Sequence, residues 1–164
     1  MNIKDIEKSV HLATSVEDKI GLSVLYAQIV TNGKDKIYDA ITLEKQLVKD
    51  CSYLVTNLVA NENETGKILH VISEGFLTGG HTRLCEKLAS MEDVPSDLMV
   101  TRRTDEKASQ RLQHHFDQVY ITSCENTEEN VLQQIEVLAR YSKIILHIHP
   151  NDITVVLSLG LLKL

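Results

Sequence analysis

The chain has few of the residues that mark special classes of protein. Its 164 residues include two prolines, seven glycines and no tryptophan, which excludes collagen-like and linker-like sequences. The three cysteines are far apart, so we expect reduced thiols rather than a disulfide framework. The amino terminus lacks the apolar core of a signal peptide, and the longest apolar run, residues 153–164, is about half of the ~20 residues that a membrane span needs. These absences predict a soluble, cytoplasmic protein.

Positive charge is also scarce, because 17 basic residues stand against 23 acidic ones and give a formal net charge of -6. Proteins that bind a nucleic-acid backbone usually carry a basic face, so this balance argues against a nucleic-acid partner. What the chain does have is 43% hydrophobic and 24% charged residues, close to the average of globular proteins. A chain of this size buries roughly 70% of the surface that it exposes when unfolded, which is ample for a hydrophobic core.

The first part of the chain has helical periodicity. Apolar residues recur at spacings of three and four over residues 16–30, which predicts an amphipathic helix there. A second helix is predicted over residues 35–49, and a third apolar stretch covers residues 53–59. The polar cluster at residues 61–66 then marks a boundary. We therefore place a helical N-terminal segment at residues 1–65.

Residues 66–164 alternate between short apolar runs and amphipathic stretches long enough for helices. The predicted elements are strands at residues 67–73, 97–102, 118–122 and 143–149, and helices at residues 80–91, 105–115, 127–141 and 153–164. Such alternation is typical of a parallel sheet with crossover helices. The predicted fold class is therefore α/β, with a Rossmann-like parallel sheet of about four strands in the order 3-2-1-4 after the helical N-terminal segment.

The glycine turn after the first predicted strand is the first candidate site. In a sheet of this order, ligands bind outside the carboxyl ends of the strands, where the strand order reverses. Gly79 and Gly80 permit a tight turn and a close approach of the backbone to a ligand. A helix that begins near Gly80 has free N–H groups and a dipole that favour an anion such as a phosphate. Thr82 lies between His81 and Arg83, and the side chains of His81 and Arg83 offer charge or hydrogen bonds to a ligand. The alternative is a turn without a ligand, in which the two glycines serve only close packing.

The end of the fourth predicted strand is the second candidate site. His147 and His149 alternate along the strand and therefore share one face. Two imidazoles are fewer than the three or four ligands of a zinc site, so no metal is predicted. A metal-dependent hydrolase is an alternative function, but it requires further carboxylate or histidine ligands near this pair. Asp152 is the one evident candidate. Asn151 or Asp152 is otherwise expected to cap the following helix.

Both candidate sites resemble landmarks of one enzyme family. The Gly-Gly-His-Thr-Arg turn at residues 79–83 and the Leu-His-Ile-His-Pro-x-Asp strand end at residues 146–152 are similar to the N-terminal half of bacterial glycosyltransferases of the two-Rossmann (GT-B) type. In layout the resemblance covers residues 16–164, and its specific content is these two motifs. It implies a second, C-terminal domain that this sequence lacks. We therefore expect residues 66–164 to be a half domain of a longer protein and the chain to be catalytically inactive alone.

The resemblance also implies a reaction, the transfer of a sugar from a nucleotide sugar to an acceptor hydroxyl. Such enzymes usually need no bound metal or other cofactor, because basic side chains and helix N-termini stabilise the leaving diphosphate. His81 is then the candidate catalytic base or phosphate contact. The candidate substrate-binding residues are Gly79, Gly80, Thr82, Arg83, His149, Asn151 and Asp152. The implied partners are the nucleotide-sugar donor, the acceptor and the C-terminal domain.

The alternative to a transferase is a non-catalytic α/β module that binds an anionic small ligand or a protein partner. The apolar helix at residues 153–164 distinguishes the two. In a transferase fragment we expect this helix to be partly exposed where it would meet the absent domain, and to drive formation of a homo-oligomer. In the module we expect it to be buried.

Overall fold

A computed structural model describes residues 3–33, 41–56 and 66–163 of the chain. Within these ranges the elements are α1 (Ile3–Leu12), α2 (Val16–Asn32), α3 (Ile41–Asp50), the 3₁₀ helix η1 (Ser52–Val55), β1 (Ile68–Gly75), α4 (Gly80–Ala89), β2 (Ser96–Thr104), α5 (Glu106–Leu112), β3 (Val119–Ile121), α6 (Glu128–Leu138), β4 (Lys143–His147) and α7 (Ile153–Leu162). The parts of the predicted helical segment at residues 35–40 and 57–59 lie outside the described residues. None of the helices in these ranges is both long and apolar enough to cross a membrane.

The residue contacts divide the chain into two compact units. The first contains Met1–Leu58, Asn126–Ile135 and Pro150–Leu164, and the second contains Val59–Glu125 and Glu136–His149. The two units are interleaved along the chain, because two later segments group with the N-terminal helices.

The first unit buries two clusters of apolar side chains. One cluster joins α1, α2 and α3, and its buried members are Ile6, Val10, Tyr26, Val30 and Leu43. The other draws on α2, α3, α6 and α7, and its buried members are Val16, Ile20, Leu47, Cys51, Val131, Ile135, Ile153, Leu157 and Leu161. These helices therefore meet through apolar faces, which is what amphipathic periodicity produces.

α7 is an apolar helix that is largely buried. Val155 and Leu157 are completely buried, and Leu161 is 2% exposed. Leu157 and Leu161 pack in the second apolar cluster of the first unit. The burial of this helix matches the expectation for a non-catalytic module rather than the expectation for a transferase fragment. The formation of a homo-oligomer through this helix stays a prediction.

The second unit contains a four-stranded parallel sheet. The strand order is β3-β2-β1-β4, so the predicted α/β class and the predicted order 3-2-1-4 are confirmed. β1 lies in the centre and pairs with β2 on one side and with β4 on the other. An apolar cluster packs α4 and α5 against this sheet, and its buried members are Ile72, Cys85, Ala89, Leu98, Val100, Leu112 and Phe116.

The amino-terminal edge of the sheet is held by the buried carboxylate of Asp97. This carboxylate accepts hydrogen bonds from the Tyr141 hydroxyl at 2.7 Å and from the Gln118 backbone N–H at 3.0 Å, and Lys67 Nζ donates to it at 3.2 Å. Burial raises the pKa of Tyr141 above its ordinary value, and hydrogen bonds with Tyr120 and Asp97 act in the same direction. A buried carboxylate is tolerated when it is paired and hydrogen-bonded, so this edge is a structural support.

Candidate functional site

The turn between β1 and α4 is closed by Thr82. Gly79 occupies the N-cap of α4 and has no side chain with which to cap the helix. The Thr82 hydroxyl accepts a hydrogen bond from the Phe76 N–H at 3.1 Å, and the Gly79 N–H donates to the Phe76 carbonyl at 3.1 Å. Thr82 is 1% exposed, so its hydroxyl holds the turn. Its assignment as a substrate-binding residue stays a prediction.

The two glycines of the turn differ in the space around them. A Cβ added at Gly79 would lie 3.2 Å from Thr82 Oγ1 and 3.4 Å from the Phe76 carbonyl oxygen. A Cβ added at Gly80 would meet nothing within 4 Å. The absence of a side chain at Gly79 therefore lets Phe76 and Thr82 approach the backbone closely, whereas a side chain at Gly80 would meet no other group. The first N–H groups of a helix have no intrahelical partner, so the start of α4 suits an anion.

His81 and His149 come together at the carboxyl edge of the sheet. Their ring centroids are 5.0 Å apart. The His149 backbone N–H donates to Ser73 Oγ at 2.8 Å, and His149 Nε2 lies 3.8 Å from a carboxylate oxygen of Glu74. Ser73 and Glu74 lie near the end of β1, so the two predicted sites meet between β1 and β4. This is the place where the strand order reverses, at which open α/β sheets bind ligands.

A second pair of histidines lies on the strands themselves. Nδ1 of the fully buried His70 on β1 is 3.2 Å from Nε2 of His147 on β4, and the two rings are parallel within 4°. Burial, with a smaller contribution from His147, lowers the pKa of His70 to about 4. Burial, followed by the charge of His81, lowers the pKa of His147. Both imidazoles are therefore predominantly neutral at pH 7.

His70 was not identified as a candidate site residue from the sequence, where it lies inside an apolar run. Its proximity to His147 follows from the register of β1 against β4. Ile72 of β1 pairs with His147, so His70 and His147 are two positions apart on neighbouring parallel strands and project from the same face. Cys85 of α4 lies close to both, and burial raises the pKa of its thiol to about 12.

Arg83 lines a different surface from His81. An open groove of about 510 Å³ between α4 and α5 is lined by Arg83, Glu86, Lys87, Ser90, Arg111 and His115. Arg111 forms an ion pair with the buried Glu86 and donates a hydrogen bond to the Leu77 carbonyl at 3.4 Å. Arg83 thus lines this groove, and its assignment as a substrate-binding residue stays a prediction.

Asn151 and Asp152 belong to the first unit, whereas the other predicted site residues belong to the second. Asp152 occupies the predicted N-cap position of α7, but its side chain does not bond to the N–H groups of the helix. Instead, its carboxylate accepts a hydrogen bond from the Thr154 hydroxyl at 3.4 Å. Asp152 is 2% exposed, so the described contact is structural. The assignment of both residues to substrate binding stays a prediction.

Comparison of the chain with protein-family models, with curated proteins and with solved structures finds no significant match. Function is therefore inferred from the two motifs and from the geometry in which they meet.

Proposed function

We propose that the chain is the N-terminal half of a glycosyltransferase of the two-Rossmann type, which binds a phosphate-bearing substrate at the carboxyl edge of its sheet. One observation supports this function above the others. His81 of the glycine turn and His149 of the strand-end motif have ring centroids 5.0 Å apart. Two motifs that are distant in sequence thus supply ionisable side chains to one accessible place, and a turn that served only packing would need neither imidazole.

Binding would begin at the N-terminus of α4. The first N–H groups of this helix, including those of Gly80 and His81, point out of the helix and carry its positive dipole. The open space beside Gly80 leaves room for phosphate oxygens. His81 is exposed next to them and adds a hydrogen-bond donor. These groups would hold the diphosphate of the donor as it leaves.

In the transfer, His81 holds the diphosphate as it leaves. The acceptor oxygen forms a bond to the anomeric carbon, the bond from that carbon to the diphosphate oxygen breaks with its electron pair on the diphosphate, and the acceptor proton passes to the diphosphate. The Glu74 carboxylate lies 3.8 Å from His149 Nε2, beside this contact.

The first test is the binding of inorganic pyrophosphate and of a nucleotide sugar to the whole chain, followed by NMR of the histidine rings. We expect the His81 and His149 signals to shift, and His81→Ala and His149→Ala each to weaken binding by about tenfold, the equivalent of one charge-assisted hydrogen bond. His114→Ala is the matched control, because His114 is an exposed histidine in the turn after α5. The proposal fails if both ligands leave the two rings unchanged, or if the control loses as much affinity.

The release of nucleoside diphosphate from the nucleotide sugar by the longer, two-domain protein that the proposal implies, measured with candidate acceptors, then tests the chemistry. We expect release to require His81. Ligand binding at His81 without release by a chain that carries its second domain would identify a binding module instead.

The burial of α7 and the groove between α4 and α5 favour one alternative function, a non-catalytic module for an anionic ligand. Arg83 and Lys87 are exposed there beside Arg111, so positive charge is concentrated along the groove. Anion binding that Arg83→Ala abolishes and His81→Ala leaves unchanged would support the module over the transferase.

A further inference from the structure

We propose that His70, Cys85 and His147 bind a divalent metal ion, for which Zn²⁺ is the best match. Each side chain offers one ligand atom, and the three atoms all lie within 4.8 Å of one another. β1 supplies His70, α4 supplies Cys85 and β4 supplies His147, so the site joins three elements of the second unit. The proposal is independent of the transferase function, which uses His81 and His149.

The separation of the two imidazoles fits a zinc ion. His70 Nδ1 and His147 Nε2 are 3.2 Å apart. Two nitrogens bound at the usual zinc–nitrogen distance of about 2.0–2.1 Å on a tetrahedral ion are roughly 3.3–3.4 Å apart. The same ion holds a sulfur about 3.5 Å from each nitrogen, so the Cys85 thiol reaches its place by side-chain movements on the order of 1 Å.

The surroundings of His70 point to a ligand. Its Nε2 is buried and has no hydrogen-bond partner, and its Nδ1 faces His147. Among the described residues, His70 therefore has no hydrogen bond outside the proposed triad. A buried imidazole costs free energy that an apolar residue at the same place in β1 would avoid. The nitrogen that would bind the ion is Nδ1, which faces His147, whereas Nε2 has no partner in the described part of the chain with or without the ion. Coordination through Nδ1 would give this buried histidine a function.

The ligand set is also in a suitable chemical state. An imidazole must be neutral to bind a metal, and burial keeps both imidazoles predominantly neutral at pH 7. Imidazole nitrogen and thiolate sulfur are both zinc ligands, and three protein ligands leave a fourth position for water. His147 is only half-buried, and His81 is near enough to influence its charge. The ion therefore reaches the triad from the carboxyl edge of the sheet.

Binding requires Cys85 to lose its proton. Burial raises the pKa of this thiol to about 12, so it carries its proton at pH 7. On binding, the sulfur–hydrogen bond breaks, the proton passes to the solvent, and the electron pair on sulfur forms the bond to the metal. No electrons are gained or lost. Each bound ion therefore releases about one proton, all of it from the thiol.

The test is a calorimetric titration of the whole chain with Zn²⁺ in two buffers that differ in ionisation enthalpy, which gives stoichiometry, affinity and proton release together. All variants carry Cys124→Ser, which removes the exposed thiol. We expect one ion per chain and about one proton per ion. Titration with Co²⁺ should add the near-ultraviolet charge-transfer band of a cobalt–thiolate bond.

Two substitutions identify the ligands. Cys85→Ala should abolish the cobalt band and weaken Zn²⁺ binding by more than the ~10–100-fold that loss of an outer-shell partner causes. His147→Asn should also weaken binding. Because His147 is less buried than Cys85, this substitution disturbs the fold less. Cys51→Ala is the matched control, because Cys51 is a completely buried thiol of the first unit, and it should bind as the parent does. Circular dichroism verifies that each variant is folded.

Several outcomes would overturn the proposal. These are the absence of stoichiometric binding, binding without proton release, or an equal loss of affinity in Cys51→Ala. Binding that survives Cys85→Ala and disappears in His81→Ala would also overturn it, because the ion would then be held by the exposed histidine pair.

Discussion

Gly160 of α7 lies directly against the side chain of Val48 of α3, so closely that a Cβ at the glycine would overlap it. A glycine inside a helix costs up to about 1 kcal/mol relative to alanine. Here the missing side chain lets two helices of the first unit approach each other. The contact joins α3 to the apolar α7, which is why this glycine is tolerated.

Replacement of Gly160 by alanine should therefore destabilise the protein, by about 1–3 kcal/mol, because the helices must move apart or Val48 must leave its rotamer. Gly21→Ala is the matched substitution in α2, where a Cβ would meet nothing within 4 Å. That variant should gain about 0.5–1 kcal/mol. Urea unfolding of both proteins measures the difference, and equal stabilities would contradict the close packing.

The glycines of the turn allow a second paired substitution. Gly79→Ala should cost about 1 kcal/mol, because the new Cβ would press on the Thr82 hydroxyl and weaken its hydrogen bond with the Phe76 N–H. Gly80→Ala should leave the free energy of unfolding unchanged or slightly higher, since the space beside it is open. Thermal unfolding of the two variants checks the order, and a reversed order would mean that Gly80 is the packed glycine.

Much of the second unit could be predicted from the sequence, because apolar strands and amphipathic helices alternate with clear periods. The predicted fourth strand ended at His149, whereas β4 ends at His147. The reason is local, since the His149 N–H bonds to the Ser73 side chain rather than to a strand neighbour. α7 is apolar on all sides, and such a composition suits a buried helix as well as an exposed interface. Its surroundings therefore could not be predicted.

The site was predictable only where a local motif marked it. His81 and His149 belong to recognisable motifs, and the predicted strand order placed them at one edge. His70 gives no such signal, because a single histidine in an apolar run has no partner until the register of β1 against β4 is known. The orientation of Arg83 toward α5 depends on the packing of two helices, which spacing along the chain does not specify.

The ion pair between Arg111 and Glu86 should contribute to stability, because the carboxylate is only 6% exposed. Arg111→Ala should cost about 2–3 kcal/mol, less than a fully buried pair, since the arginine reaches solvent. Arg140→Ala is the matched control, because Arg140 and Glu136 form an exposed pair one helical turn apart, which is worth about 0.3–0.5 kcal/mol. Similar losses in both variants, measured by urea unfolding, would mean that Glu86 finds other partners.

Stability should also depend on pH through His70. The unfolded chain takes up a proton there near pH 6.5, whereas burial delays uptake in the folded chain to about pH 4. Protonation therefore favours unfolding, so this contribution is complete above pH 6.5 and is lost as the pH falls toward 4. The lowered pKa of His147 acts in the same direction. For His70 alone, the loss in the free energy of unfolding is on the order of 3 kcal/mol.

His70→Leu should flatten the rise of the unfolding free energy between pH 4 and pH 6.5. The measurement is urea unfolding across this range with a chelator present, so that metal binding does not enter. His114→Ala, at an exposed histidine, should keep the slope of the parent protein. A His70→Leu profile parallel to the parent would show that the folded chain protonates His70 as easily as the unfolded chain does.

The position of β1 between β2 and β4 has a consequence for the order in which the protein is made. A ribosome produces β1 and β2 early, but β4 begins only at Lys143, after two further helices. Parallel pairing between distant segments is slow, because a long loop must close before its contacts stabilise it. His70 therefore has no contact with His147 until β4 has been synthesised and has paired with β1. Closure of the sheet and assembly of the histidine cluster are therefore one event, which follows the synthesis of β4.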